Sequence, residues 1–369
     1  MKAKGNHPGK GVSSGGSPSS HVRASELPER VVDFLVGRGS SAAGRFRTLA
    51  LEGDASDRHY FRLVLEGSSG ERPDSYVLMK LASPWKPEGG RGELPFVNIA
   101  RHLREKGIPV PRIFVDASEQ GFVLLEDVGS ATLEQTLEKA SAGARRKRYE
   151  HAIELLVRMQ REATRASRRP CIALTYAFDT ATFFKELCFF REHALEGLWG
   201  RRMSADERKE LEGHFRRLCE EIIQYPQVFT HRDYHSRNLM VQADRLTVLD
   251  FQDARLGPIT YDLASLLRDS YVFLTSEEQE ALIATYRGLA RRAGLTVLDE
   301  EAFRKAFLQT GLQRNLKAIG TFAYQAVVKG VDRYLAYIPN TVNSIRFVFE
   351  NDPRLAPFKR ALQPYVEGL

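Results

Sequence analysis

Cysteine is scarce in this 369-residue chain. Cys171, Cys188 and Cys219 are the only three, with no C-x-x-C pair and no metal-ligand spacing among them. That excludes a disulfide framework and a thiolate zinc site, and leaves free thiols in a reducing compartment as the expectation. No stretch approaches the roughly 18 uninterrupted apolar residues of a membrane span. The basic N-terminus is not followed by an apolar segment, so no secretory signal is expected. Internal repeats are absent as well. What the chain has is 43% hydrophobic and 27% charged residues, enough for a sizeable core and too much for wholesale disorder. Its length exceeds one typical domain and suits two lobes. The expectation is a globular protein of the cytoplasm with no membrane partner.

Charge decides little. There are 54 Lys+Arg against 47 Asp+Glu, a formal +7, and part of the excess lies at the start, where Lys2, Lys4, Lys10 and Arg23 precede the first acid, Glu26. The one dense basic cluster, Arg145 to Arg148, adjoins a helical pattern. A solvated helix end explains it more simply than a phosphate-tracking patch, so no nucleic-acid partner is expected, and no obligate protein partner is evident. A phosphate-bearing substrate would equally favour mild positive potential.

Residues 1–25 are rich in Gly and Ser and nearly lack apolar side chains, the composition of a flexible tail. From Leu27 to about Glu126 the signals are mostly β. Tyr60 to Leu65, Tyr76 to Leu81, Ile113 to Val115 and Phe122 to Leu125 read as strands. One helix interrupts them, with Phe96, Ile99, Ala100 and Leu103 on one face, Gly107 ending it, and Pro109 and Pro111 blocking continuation. After Gly129 the pattern turns helical, with stripes at Ala152, Leu155, Leu156, Met159 and at Leu312, Leu316, Ile319, Ala323. A loop-and-strand island, residues 229–256, lies between them. The fold class expected is α+β: a small β-rich lobe over residues 26–128 and a larger helical lobe over 129–369. A cleft between unlike lobes is a natural ligand site.

The informative stretch is His231-Arg232-Asp233-Tyr234-His235-Ser236-Arg237-Asn238, then a short apolar hairpin, then Asp250-Phe251. Phosphoryl transfer asks for a carboxylate at the attacking hydroxyl and for oxygen ligands that hold Mg²⁺ on the phosphates. Asp233 suits the first task. Asn238 and Asp250 suit the second, given the preference of Mg²⁺ for hard oxygen ligands. Singly, each is as well explained by a solvated turn or a strand end. Their order and spacing together point to a catalytic loop followed by a metal loop.

These residues resemble the protein-kinase-like fold in its aminoglycoside phosphotransferase and choline kinase branch. Arg255-Leu256-Gly257-Pro258 and Tyr261-Asp262-Leu263-Ala264 are similar to that branch, while Gln252 in place of Gly and the missing A-P-E segment argue against a protein kinase. The resemblance implies that Asp262 anchors the catalytic loop and that the β-rich lobe binds ATP. The turn Gly53-Asp54-Ala55-Ser56-Asp57 would lie over the phosphates, through Gly53 backbone freedom and the Ser56 hydroxyl; an ordinary hairpin turn is the plainer alternative. Lys80, ending an apolar strand, would reach the α- and β-phosphates, and is otherwise a solvated lysine. Leu124 to Gly129 resembles the hinge, with backbone groups near Glu126 and Val128 facing adenine. Where a helix Glu is expected to pair with Lys80 the chain has Asn98, with Glu93 and Glu105 as alternatives.

A narrower resemblance covers most of the chain. Gly53-Asp54-Ala55-Ser56, Tyr60-Phe61-Arg62, the 231–240 loop, Asp250 to Arg255, and Gln313-Arg314-Asn315-Leu316-Lys317 with Gly320 and Arg333-Tyr334-Leu335 look like the bacterial N-acetylmuramate/N-acetylglucosamine anomeric kinases. It implies ATP- and Mg²⁺-dependent phosphorylation of the 1-hydroxyl of a cell-wall amino sugar, in peptidoglycan recycling. Arg237 or Arg232 would balance phosphate or lactyl carboxylate charge, or pair structurally with an acid. Gln313, Arg314 and Lys317 are candidates for the sugar pocket, with capping and solvated-face roles the leading alternative. Other acceptors (choline, homoserine, an aminoglycoside) and a catalytically silent ATP-binding regulator are the competing functions.

Overall fold

The structure, a computed structural model, describes residues 22–37, 46–51, 58–65, 75–87, 92–296 and 298–369. They form two units. The first comprises the described residues up to Trp85 together with Phe114–Leu125; the second comprises Lys86–Ile113 and Glu126–Leu369.

The first unit is built on an antiparallel meander. Strands β1 (Phe46–Leu51), β2 (His59–Leu65), β3 (Ser75–Lys80), β4 (Ile113–Ala117) and β5 (Phe122–Glu126) lie in the order β1-β2-β3-β5-β4. Alternation along β2 and β3 sends Phe61, Leu63, Tyr76 and Leu78 into the core, where Val31 and Leu35 of α1 (Glu29–Val36) meet them. The register sets His59 opposite Lys80.

Three expectations need correction here. Val22, assigned to the tail, is 4% exposed within this core, and Ala24–Glu26 form a 3₁₀ turn, so the tail does not extend to residue 25. Two elements were not expected: α1, a short helix whose Val31, Val32, Phe34 and Leu35 fall on one apolar face against the core, and β1, which buries none of its residues fully. The lobe boundary differs too, because α2 (Pro95–Glu105) belongs to the second unit rather than the first. The reason is an apolar contact, Phe96 stacked on Phe251 at 4.9 Å between centroids, together with a set of polar ties. His102 Nε2 bonds Ala163 O at 2.7 Å, the Asn98 amide donates to Pro170 O, and Ile172 N–H donates to Asn98 Oδ1. Asn98, which stands where a kinase glutamate was expected, is a fastening of α2.

The second unit continues with α3 (Leu133–Glu138), α4 (Ala142–Ala163), α5 (Thr180–Phe190), α6 (Ala205–Ile222), α7 (Tyr261–Leu267), α8 (Ser276–Arg292), α9 (Glu300–Val327), α10 (Ile338–Asn351) and α11 (Ala356–Leu362). Two small ladders sit among them, β6 (Gln227–Thr230) with β9 (Arg255–Pro258) and β7 (Leu239–Gln242) with β8 (Arg245–Val248). Phe183, Leu187, Phe190, Phe215, Leu312, Leu316 and Ile319 form the centre of the helical core. Among the described residues no helix is long and apolar enough to cross a membrane.

The 28-residue α9 is buried on nearly all sides. Its Gly320 lies against the α5 backbone, where an added Cβ would come within 2.7 Å of Phe190 Cα. Gly320→Ala is therefore expected to push α5 and α9 apart and to destabilise the protein by about 1–3 kcal/mol. Urea unfolding would measure this, and an unchanged midpoint would contradict the packing argument.

Candidate active site

The 231–238 loop is held by what surrounds it. Both oxygens of the fully buried Asp262 accept backbone N–H groups, from His231 at 2.7 Å and from Arg232 at 3.0 Å. Burial, the largest influence, pushes the Asp262 carboxyl up to about 6 despite these donors and the nearby His231. This is the anchoring role that the resemblance implied for Asp262. The His231 ring has a single tautomer that fits: Nε2 faces Leu249 O at 2.7 Å and must donate, while Nδ1 accepts from Asp233 N–H at 3.3 Å. Tyr234 is buried and donates its hydroxyl to Ala152 O of α4 at 2.8 Å. Arg232 adopts φ +82°, a left-handed conformation that turns the chain so that Asp233 projects from the loop.

The Asp233 carboxylate is half-exposed and meets Lys317 of α9, Nζ to Oδ1 at 3.2 Å. Desolvation works against its charge, but Lys317 first, then Arg232 and Arg314 hold it well below the usual carboxylate range. It is an ionised base-type group in a cationic setting.

Asn238 and Asp250 are brought together by the hairpin. Leu239 pairs with Val248, and the ladder continues one step through Leu249 N–H to Asn238 O at 2.9 Å. The Asn238 amide nitrogen donates to Asp233 O at 2.9 Å, so its carbonyl oxygen is the end left for a cation. Asp250, at φ +59°, accepts from the Gln252 amide at 2.7 Å. Its carboxyl reaches solvent, yet the crowding protein around it, and then the like charge of Asp233, push its proton affinity upward. A divalent cation would relieve that repulsion. Among the described residues no group of three or more His, Cys, Asp or Glu side chains is arranged as a complete metal cage. One amide and one carboxylate suit a Mg²⁺ ion that takes its other oxygens from phosphates and water.

The two arginines assigned to substrate are engaged within the protein. Arg232 pairs with Glu186 of α5 at 2.8 Å, and the other Glu186 oxygen accepts from the Gln313 amide at 2.8 Å. Arg237 makes a two-pronged pair with Glu134 at 2.8 and 3.0 Å, donates to Tyr337 Oη at 2.6 Å, and lies 3.8 Å from the Tyr271 ring centroid. The expected charge-balancing role toward a ligand gives way to internal pairing, because both guanidinia already have carboxylate partners. Glu134 is delivered by a capping box, in which Thr132 and Gln135 satisfy each other's N–H groups and open α3. Glu134→Gln should cost about 1–3 kcal/mol, since it leaves a half-buried guanidinium short of its anion. Chemical denaturation measures this, and a variant as stable as the parent would overturn the clamp.

Gln313, Arg314 and Lys317 are not a solvated face. Gln313 and Arg314 are buried, and Lys317 is half-buried against Asp233. Glu186 and Glu134, which the sequence reading missed, carried no local signal. Of the nucleotide-side candidates, Gly53 and Ser56 lie outside the described residues. Lys80 ends β3, its ammonium 5.9 Å from the Phe122 ring centroid. Glu93 and Glu105, considered as its partners, pair with Arg101 at 2.9 and 3.6 Å. Glu126 gives its N–H to Arg112 O, and its side chain accepts from Arg112 N–H. Val128 is nearly buried, two residues on.

Comparison with known proteins identifies the family. The model of the family described as "Phosphotransferase enzyme family" matches residues 48–296. An N-acetylmuramate/N-acetylglucosamine kinase of Pseudomonas aeruginosa is 31% identical, covering 93% of this chain and 94% of that protein. One of the same name from Neisseria meningitidis serogroup B is 32% identical, covering 85% of this chain and 89% of that protein. Among solved structures, a choline/ethanolamine kinase family protein from Mesorhizobium loti superposes with a TM-score of 0.56 at 13% identity, over 91% of this chain and 98% of its own, a likeness of fold.

Proposed function

The chain belongs to the phosphotransferase enzyme family, and from that premise we propose that it is an ATP-dependent kinase for the anomeric hydroxyl of N-acetylmuramate and N-acetylglucosamine, acting in the cytoplasm in peptidoglycan recycling. The observation that carries the reading is Asp233. It is a carboxylate held ionised by Lys317, presented by a loop whose backbone is fixed by Asp262, beside an amide and a carboxylate disposed for Mg²⁺.

In this reading Asp233 accepts a hydrogen bond from the sugar 1-hydroxyl, orients it in line with the γ-phosphorus and takes its proton as the new P–O bond forms and the bond from the γ-phosphorus to the bridging oxygen breaks, with ADP leaving. Lys317 keeps Asp233 deprotonated until the hydroxyl arrives. Asn238 Oδ1 and the Asp250 carboxylate hold Mg²⁺, which when bound neutralises charge on the phosphate oxygens. Lys80, with Gly53 and Ser56, meets the phosphates of ATP, and backbone groups near Glu126 and Val128 meet the adenine edge. Arg232 and Arg237 act as positioning residues through Glu186 and Glu134. ADP release by the purified protein should depend on N-acetylmuramate or N-acetylglucosamine and be absent with choline, homoserine or kanamycin. The reverse selectivity would overturn the choice of acceptor and leave the phosphotransferase chemistry in place.

A further inference from the structure

Of the cations on the 231–238 loop and at 314 and 317 on α9, three have partners. Arg232 is paired with Glu186, Arg237 with Glu134, and Lys317 with Asp233 itself. Arg314 is the exception. It is 5% exposed, and its Nε and Nη1 atoms are buried without a hydrogen-bond partner. Among the described residues no carboxylate lies within ion-pair distance of it. Asp269, whose carboxyl feels the Arg314 charge, is already committed: Oδ2 accepts from Ser236 N–H and Oγ–H, and Oδ1 from Tyr271 N–H. The Arg314 charge is felt at Asp233 and at His235, whose imidazole is pushed down to about 3 by burial first and then by Arg314. An imidazole supplies no anionic countercharge in either protonation state.

A buried guanidinium with no anion in direct contact carries a desolvation penalty that the more distant Asp269 and Asp233 repay only in part. It is kept where a ligand brings the missing charge. Arg314 and Lys317 stand three residues apart on α9, hence on one face and separated by about 4.5 Å along the axis. With Lys317 at Asp233, Arg314 lies about one helical turn from the reacting hydroxyl.

We infer that Arg314 is a specificity-determining residue: it forms an anion subsite that takes the carboxylate of an acidic acceptor, so that the pocket distinguishes a sugar bearing a lactyl ether from its neutral counterpart. The inference rests on the amino-sugar reading above, since of the two sugars proposed only N-acetylmuramate carries a carboxylate. It concerns which of them the enzyme prefers and by what contact.

The test compares three acceptors, N-acetylmuramate, its lactyl methyl ester and N-acetylglucosamine, with the wild type, Arg314→Met and Arg314→Lys. Methionine keeps the apolar stem and removes the charge. For the wild type, esterification should lower kcat/KM by about 10- to 150-fold, the range for losing hydrogen bonds to a charged group. Arg314→Met should lose the same factor on N-acetylmuramate over and above whatever loss it shows on N-acetylglucosamine, and should turn over the ester and N-acetylmuramate alike. Arg314→Lys should recover part of the discrimination. A uniform loss across all three acceptors would overturn the inference, assigning Arg314 to packing or to the transferred phosphoryl group. So would a wild type indifferent to esterification, an outcome readable even if Arg314→Met does not fold. Turnover of neither sugar by the wild type would instead remove the functional reading beneath it.

Discussion

Asp233→Asn is expected to lower turnover by about 10²–10⁴, the usual range for losing a general base, while nucleotide binding is retained. The substitution is nearly isosteric. The amide can still accept from Lys317 through its oxygen, so the loop held by Asp262 and Tyr234 should keep its path. What disappears is the negative charge that draws the acceptor proton and that Lys317 keeps available. Turnover measured by ADP release, alongside ATP affinity measured by calorimetry, separates the two effects. Parent-like turnover would remove Asp233 from its role, and lost ATP affinity would show that it serves nucleotide binding instead.

Asp250→Ala should act on the other half of the reaction. Asp250 stands beside Asp233 with its proton affinity raised by crowding and by that like charge, the setting of a ligand that needs a cation. In the parent, Mg²⁺ should tighten ATP binding, and in the variant this tightening should be lost with little change in ATP affinity without the metal. The metal-free variant also loses a charge that repels Asp233. Its melting temperature is therefore expected to hold or rise, although one hydrogen bond from Gln252 goes with it. A variant whose ATP affinity still responds fully to Mg²⁺ would assign the metal elsewhere.

The catalytic and metal loops were legible because their chemistry is local. Asp233 and Asn238 are five residues apart, and an apolar hairpin closed at Gln242 and Arg245 returns the chain to Asp250. Order and spacing therefore carry the geometry. The partners of these residues lie far along the chain. Lys317 is 84 positions from Asp233, Glu186 is 46 from Arg232, and Glu134 is 103 from Arg237. No short-range pattern encodes such pairs. On α9 the apolar stripe through Leu312, Leu316 and Ile319 was read correctly, but Gln313, Arg314 and Lys317 resembled a solvated face. Hydrophobic periodicity separates polar from apolar sides and cannot tell water from a polar interior. β1 is a different case, since it buries no side chain fully, and the attachment of α2 to the helical unit rests on distant partners, Phe251 against Phe96 and Ala163 and Ile172 against His102 and Asn98, that no local pattern encodes.

The most direct test of the account is the position of the new phosphate. Purified protein with ATP, Mg²⁺ and N-acetylmuramate or N-acetylglucosamine should yield a sugar phosphate whose phosphorus couples to the anomeric proton in the NMR spectrum. The product should be missing when Asp233 is replaced by Asn. A phosphate at another hydroxyl would contradict the placement of the 1-hydroxyl at Asp233, and ATP binding with no phosphorylated sugar would contradict the assignment of these acceptors.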